Sequence, residues 1–532
     1  MTKNDWRQYF RHTMATHKGL TAVLLTVPIT ALGAEHRLPA EWLISLGGGA
    51  RDVGIGVAAD IENNIVVTGN TGSKDWAGLD VSYEREKFAF IAKYDPSGVF
   101  LWARHLGGTN VYGKSHSAGV AVDCINNIVV TGGGDSRGWA DKPVYGGRKG
   151  HDNTFVTKLN PSGNHLWTTF VPLWESSAGG IAIDGVGNIV VGGRSGYWPT
   201  APFVAKLSPD GRNMWSTNIT EYGWGTGKHE SFAYDIAIDG AGNILLTGVT
   251  YGGQLTATGG YDTTQTPAGH DAYLVKLNPE GRMLWSTYIG ESAWGNAIAV
   301  DGLGNILVGG VTLSNRAWVS GGYNTTFGER RFSNRPFLAK ITPDGKHVWS
   351  TYLGMGPVEY YWCTDVGVDR RGNVLITGRD WYNTFVEKLS NEGDYLWSWF
   401  TSLRREATGE MYYELSASIS TDSLDSVLVA GSAHDSGWAR SRYPDVFIAK
   451  ISEPRIIHVH VELAEPEHLA LSIKAQGFKV AALVVESVDS LAHPERWLKE
   501  DRAVIVENSP GVFEATLLRQ GDTHFYRVRA TH

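Results

Sequence analysis

The chain has 532 residues, among them 65 Gly, 20 Trp and 22 Tyr, and only 19% of it is charged. A formal net charge of −8 excludes the basic surface with which nucleic-acid binders displace counterions. Glycines and aromatics at this density, set between short apolar runs, predict an all-β protein rich in turns.

The first element carries Lys3, Arg7, Arg11 and Lys18, then an apolar run from Leu20 to Leu32 that ends in the small residues Ala31, Gly33 and Ala34. A basic flank, a short apolar core and a small-residue end predict a signal peptide over residues 1–34. As a membrane anchor the run is too short, and Pro28 interrupts it. The mature chain is therefore expected to be secreted, periplasmic or at the cell surface, with no membrane span after cleavage. No Cys/His cluster has zinc spacing, and no metal or cofactor is expected.

One block then recurs seven times. It opens with an apolar strand ending in Asp, a tight turn and a second apolar strand, clearest in residues 181–193, 236–248 and 298–310. The Asp recurs as Asp60, Asp123, Asp184, Asp239, Asp301, Asp369 and Asp422, four residues before a turn Asn or, in the last copy, Ser426. It reads as a turn residue whose carboxylate accepts backbone N–H bonds. The block continues with a third strand ending in Lys, a turn, and a fourth strand containing Trp. The Lys is found in every copy: Lys93, Lys158, Lys206, Lys276, Lys340, Lys388 and Lys450. Either these lysines pair with the Asp residues at the same blade end, or they snorkel into solvent. The fourth-strand Trp residues read as packing between blades.

The seventh copy stops after its third strand, at residues 448–454. Its missing fourth strand lies at the other end of the chain, where Glu-Trp-Leu-Ile-Ser-Leu-Gly-Gly (41–48) matches the fourth strands of the other copies. Such a split unit closes a ring and pairs the strand edge that the seventh copy would otherwise leave open. The fold expected is a seven-bladed β-propeller over 41–454, closed by the N-terminal strand. Cys124 and Cys363 fall at opposite ends of their blades and are expected as free thiols.

These blocks resemble the bacterial seven-bladed beta-propeller repeat, or SBBP repeat. Its pattern runs A-I-A-V-D-x-x-G-N-x-x-V-T-G, a loop, and D-A-F-V-A-K-L-x-P-x-G-x-x-x-W-S-T-Y-L-G-G. Residues 271–290 match it closely, and Gly-Gly-Tyr-Asp-Thr-Thr (259–264) and Gly-Gly-Tyr-Asn-Thr-Thr (321–326) match the family's loop. The resemblance implies an exported, non-enzymatic propeller.

Function is expected at the long, variable connections, which share the face opposite the repeated turns. Those after the second strand hold Trp76, Trp139, Trp198, Trp318, Trp381 and Trp438, and those between blades add Trp224 and Trp294. These eight are the candidate ligand-binding residues, for a glycan stacked on indole faces or for a protein partner. The competing reading is that each Trp plugs its own loop. His229–Glu230, His434–Asp435 and His116 also break the repeat without forming a catalytic constellation. The strand-turn motif is similar to the Trp-bearing repeats of quinone-dependent dehydrogenase propellers. A carbohydrate-active or quinone-type enzyme and a purely structural envelope component therefore stand as alternatives to a binding or scaffold module.

Residues 455–532 read as short alternating strands of a small β-sandwich. Leu-Val-Val-Glu-Ser-Val-Asp-Ser-Leu-Ala-His-Pro-Glu-Arg-Trp (483–497) with Phe-Tyr-Arg-Val-Arg (525–529) resembles C-terminal modules of exported proteins from Verrucomicrobia-like bacteria.

Overall fold

The computed structural model describes residues 40–452 apart from 48–49, 74–87, 108–114, 136–143, 146–151, 197–199, 221–229, 252–254, 256, 267–268, 315–317, 327–333, 355–361, 380–383, 401–416 and 434–444, together with the backbone of seven strands beyond residue 454. The signal segment lies outside the described residues. Among them every regular element is a strand.

Seven sheets form the blades: 52–106, 115–170, 177–218, 231–289, 293–352, 362–400, and 418–451 completed by Trp42–Leu46. All pairings between these strands are antiparallel except that Val144–Tyr145 adds in parallel to the second blade's fourth strand. Trp42–Leu46 pairs with the seventh blade's third strand, Trp42 opposite Lys450. That is the pairing Trp102 makes with Lys93, and Trp285 with Lys276. The first strands of successive blades pack side by side, and the ring closes between blade 7 and blade 1. Residues Glu35–Ile451 make one compact unit. Beyond Ser452, four strands (Arg455–Glu465, His468–Gln476, Val512–Leu518 and Val504–Ser509) form one sheet. Three others (Leu498–Lys499, Leu483–Val488 and Phe525–Ala530) form a second.

Second and third strands are covered on both faces by neighbouring blades, which is why they read as unbroken apolar runs rather than alternating ones. Each described first strand from blade 1 to blade 6 carries a bulge, as between Gly54 and Gly56 and between Ala233 and Asp235. Opposite the bulge stands a glycine of the second strand. A methyl group at Gly69 would lie 2.0 Å from the Val53 carbonyl oxygen, and at Gly248 1.8 Å from that of Phe232. On its other side each such glycine faces a third-strand aromatic: Gly69–Phe90, Gly132–Phe155, Gly193–Phe203, Gly248–Tyr273, Gly310–Phe337, Gly378–Phe385 and Gly431–Phe447. The ring covers backbone that the glycine leaves bare.

The repeated turns carry a buried polar ladder. In blade 1, Asp60 Oδ1 accepts the N–H groups of Glu62 and Asn64, and its Oδ2 takes Asn64 Nδ2 and Lys93 Nζ. All seven Lys–Asp pairs form, at 2.7 to 3.2 Å, and both partners are largely buried. Six of the ammonium groups also reach a carbonyl of the next blade, from Lys93 to Pro161 round to Lys450 to Pro96. The fourth-strand Trp follows the same path. Trp102 lies against the turn glycine Gly163 of blade 2, Trp285 against Gly345, and Trp42 against Gly98 across the closure. Cys124 is exposed, Cys363 is buried, and both are free thiols.

Candidate binding face

First strands begin at the face opposite the ladder. At one equivalent position there they carry Val53, His116, Ser177, Phe232, Trp294 and Trp362, paired with Asn70, Gly133, Arg194, Val249, Val311 and Arg379. The aromatics occupy three consecutive blades, 4 to 6. Around blade 4 they join into a run of ring contacts. Phe232 stacks on Tyr234 at 6.2 Å and 9°, and Tyr251 meets Phe232 edge-on at 6.4 Å. His270 lies 5.3 Å from Tyr251 and 3.9 Å from Trp294 of the next blade. Trp294 Nε1 donates to Tyr251 Oη at 3.4 Å. The Arg194 guanidinium lies 5.6 Å over Phe232, and that of Arg379 5.9 Å over Trp362, both at cation–π range.

Tyr234 is the extra residue of the blade 4 bulge and is 37% exposed. A bulge re-aims a side chain out of the ladder, and here it presents a phenol beside the arc. The His270 Nε2 is buried without a hydrogen-bond partner. Burial lowers the His270 pKa against the opposing pull of Asp271, which favours the neutral imidazole.

Two carboxylates lie deeper in the first strands. Asp235 and Asp365 stand where other blades have Gly56, Gly119, Gly180, Ala297 or Ser418. Asp235 Oδ1 accepts Ile236 N–H at 2.8 Å and its Oδ2 accepts Ile298 N–H of blade 5 at 2.9 Å. Asp365 Oδ2 accepts Ile419 N–H at 2.9 Å and Ser418 Oγ at 2.8 Å, both from blade 7. Burial raises both carboxyls above the usual range, and the Asp365 charge adds to the rise at Asp235. They tie one blade to the next. Their signal in the sequence was a charge at a small-residue position of the repeat, and sequence reasoning passed over it.

The family model of the SBBP beta-propeller repeat matches residues 284–316 and 348–379, two stretches that each run from a fourth strand into the next blade. The chain is a seven-bladed beta-propeller repeat protein. No curated protein matches this repeat propeller in sequence. Among solved structures it is similar to the WD40 beta-propeller domain of Doa1, at 11% identity over 78% of this chain and 96% of that one, with a TM-score of 0.44. A polysaccharide lyase of the PL25 ulvan lyase family follows, at 13% identity over 77% and 96%, with a TM-score of 0.41. A protein of unknown function from Dyadobacter fermentans stands at 10% over 78% and 99%, with a TM-score of 0.41. At this distance the likenesses carry no argument about chemistry.

Of the eight candidate tryptophans of the repeat propeller, Trp76, Trp139, Trp198, Trp224, Trp381 and Trp438 lie outside the described residues, as do His229, His434 and Asp435. Trp294 joins the arc. Trp318 instead packs edge-on against Phe337 at 4.9 Å and Tyr352 at 6.4 Å, with its Nε1 buried and unpartnered; it plugs its own loop. His116 lies flat over Gly133 in blade 2, away from the arc. Phe232, Tyr234, Tyr251 and His270 were missed in the sequence, because they sit within strands whose loops drew attention. The signal for them was an aromatic at positions that differ from blade to blade.

Proposed function

We propose that this chain is an exported, non-enzymatic binding module that holds a glycan on the face where the first strands of blades 4 to 6 begin. One observation carries the proposal: the run Phe232–Tyr234–Tyr251–His270–Trp294 is non-repeated and lies at the end of the scaffold opposite the repeated ladder. Flat aromatic faces stack on the apolar faces of sugar rings, and Arg194, over Phe232 at one end of the run, supplies donors for hydroxyl or acidic groups. The same proposal takes residues 1–34 as the export signal and the two C-terminal sheets as a small sandwich that stabilises or tethers the propeller.

The test is a glycan-array screen of the mature chain beside Trp294→Ala and Tyr234→Ala. Binding at micromolar glycan that falls by about tenfold or more in both variants, a loss of about 1.4 kcal/mol, supports the proposal. An array without binding removes it and transfers weight to a protein partner at the same face.

A further inference from the structure

In blades 4 and 5 the connection between second and third strands is long, residues 252–269 and 313–334. Part of it returns along the outside of the blade's fourth strand. Gly259 pairs in parallel with Ser286, and Gly321 with Ser350. Ser286 N–H donates to Thr258 O at 2.8 Å and Tyr288 N–H to Asp262 O at 2.9 Å; Ser350 N–H donates to Ser320 O at 2.7 Å and Tyr352 N–H to Asn324 O at 2.8 Å. The hydroxyls of Thr287 and Thr351 each accept from, and donate to, the backbone of the same returning segment. Those segments are the two Gly-Gly-Tyr-(Asp/Asn)-Thr-Thr motifs. Their tyrosines cross to the next blade, Tyr261 to His347 at 5.6 Å and Tyr323 to Tyr395 at 5.9 Å. The motif is therefore an edge cover, built in cis.

Blade 3 has the same fourth-strand sequence, and among the described residues no returning segment pairs with it. Its fourth strand reads Trp215-Ser216-Thr217, as blades 4 and 5 read Trp285-Ser286-Thr287 and Trp349-Ser350-Thr351. Its own connection is only 196–200, too short to return. Ser216 and Asn218 hold the register of Ser286 and Tyr288, so their N–H groups point away from the sheet, and among the described residues nothing outside the sheet accepts from them. Thr217 Oγ1 already makes the 3.2 Å contact to the next carbonyl that Thr287 makes. Every residue of Asn213–Asn218 keeps some exposure, whereas the last four of the blade 5 strand are buried. Met283, at the position of His347 and Tyr395, is 41% exposed and offers the landing site for a tyrosine. Blade 6 also has a short connection, 380–383, but replaces the Thr with Trp399, which is buried in its own core.

We propose that the outer edge of blade 3 is a docking site for an extended strand of Gly-Gly-Tyr-(Asp/Asn)-Thr-Thr type supplied by another polypeptide. The partner would add a parallel strand to Asn213–Asn218, with backbone bonds giving affinity and the Thr217 hydroxyl and Met283 giving selectivity. This stands apart from the glycan proposal, since it involves a different blade edge.

The test is a fluorescence-anisotropy titration of labelled peptide 256–266 with the full mature chain. Saturable binding is expected, weakened about tenfold or more by Ser216→Pro, by Thr217→Val and by scrambling the peptide. Ser216→Pro removes only an outward N–H, which an edge strand tolerates, and Thr217→Val keeps the side-chain shape, so a folding defect in one is checked by the other. Trp294→Ala should leave peptide binding unchanged. Absence of saturable binding, or binding in both blade 3 variants as tight as in the parent, would overturn the proposal, the latter by placing the peptide at another site. Concentration-dependent self-association that disappears in Ser216→Pro would overturn it in favour of a second copy of this chain.

Discussion

A lysine ammonium withdrawn from water is tolerated only if its protons meet acceptors. Lys276 meets two: Asp239 at 2.9 Å and the Pro343 carbonyl of the next blade at 3.1 Å. The pair thus fixes a turn within one blade and a contact between two. Replacing Lys276 with Met keeps the apolar stem but strands the Asp239 carboxylate. The expected loss is about 3–5 kcal/mol, read as a lower urea midpoint. The double variant Lys276→Met/Asp239→Asn should recover much of it, and a double variant as unstable as the single one would remove the ion pair as cause. The recurring Asp and Lys were legible in the sequence, and their shared strand end suggested pairing. The carbonyl partner was not, because it belongs to the neighbouring repeat and only closure of the ring brings it near. The turn residue with positive φ adds a variation. Blades 3 to 6 use glycine, whereas Asn63, Asn126 and Asp425 adopt it at φ 64°, 65° and 59°. Each of these three uses its side chain to accept an N–H from a neighbouring blade: Ser423, Ile61 and Arg370. Reinforcement is thus placed at three consecutive junctions from blade 6 to blade 2, which include the closure.

Among the elements, the closing strand was the most legible, because its missing Trp-bearing copy turned up at the opposite end of the sequence. The structure gives Trp42 the contacts of an internal blade Trp: the Gly98 turn beneath it and a 3.3 Å bond from Nε1 to Pro96 O. Deleting residues 41–46 would uncover the backbone edge of Asp445–Ile451, and an open edge templates pairing between molecules. The expected outcome is a lower melting temperature together with light scattering that grows with concentration, whereas Trp42→Ala should lower the melting temperature without aggregation. A deletion variant that stays monomeric and melts as the parent does would show that the ring closes without its strand. Less legible were the returning segments. Nothing periodic marks a loop that doubles back across an edge. The clue was a paired recurrence, Gly-Gly-Tyr-x-Thr-Thr followed in the same blade by Trp-Ser-Thr, and its meaning depends on distances the sequence does not contain.

Over the whole molecule the two classes of carboxylate respond to pH in opposite senses. In Asp60, Asp123, Asp184, Asp239, Asp301 and Asp369 burial works to raise the pKa, but hydrogen bonds from the paired Lys and the turn Asn outweigh it, and the net shift is downward. A carboxyl with a depressed folded pKa adds stability above its unfolded value, near 4, and this stability is lost as the pH falls through the folded value. Asp235 and Asp365 are raised, chiefly by burial. Their contribution is complete below the unfolded value and is lost as the pH rises through the folded one. The propeller should therefore melt highest in mildly acidic solution, with a limb on each side that belongs to different residues. Melting curves by circular dichroism from pH 3 to pH 9 separate them. Asp235→Asn cannot ionise, so it should flatten the limb above the maximum and leave the acid limb in place. It also gives up one of two accepted N–H bonds, which lowers the whole curve by about 1 kcal/mol. An alkaline limb as steep in the variant as in the parent would show that Asp235 does not set it.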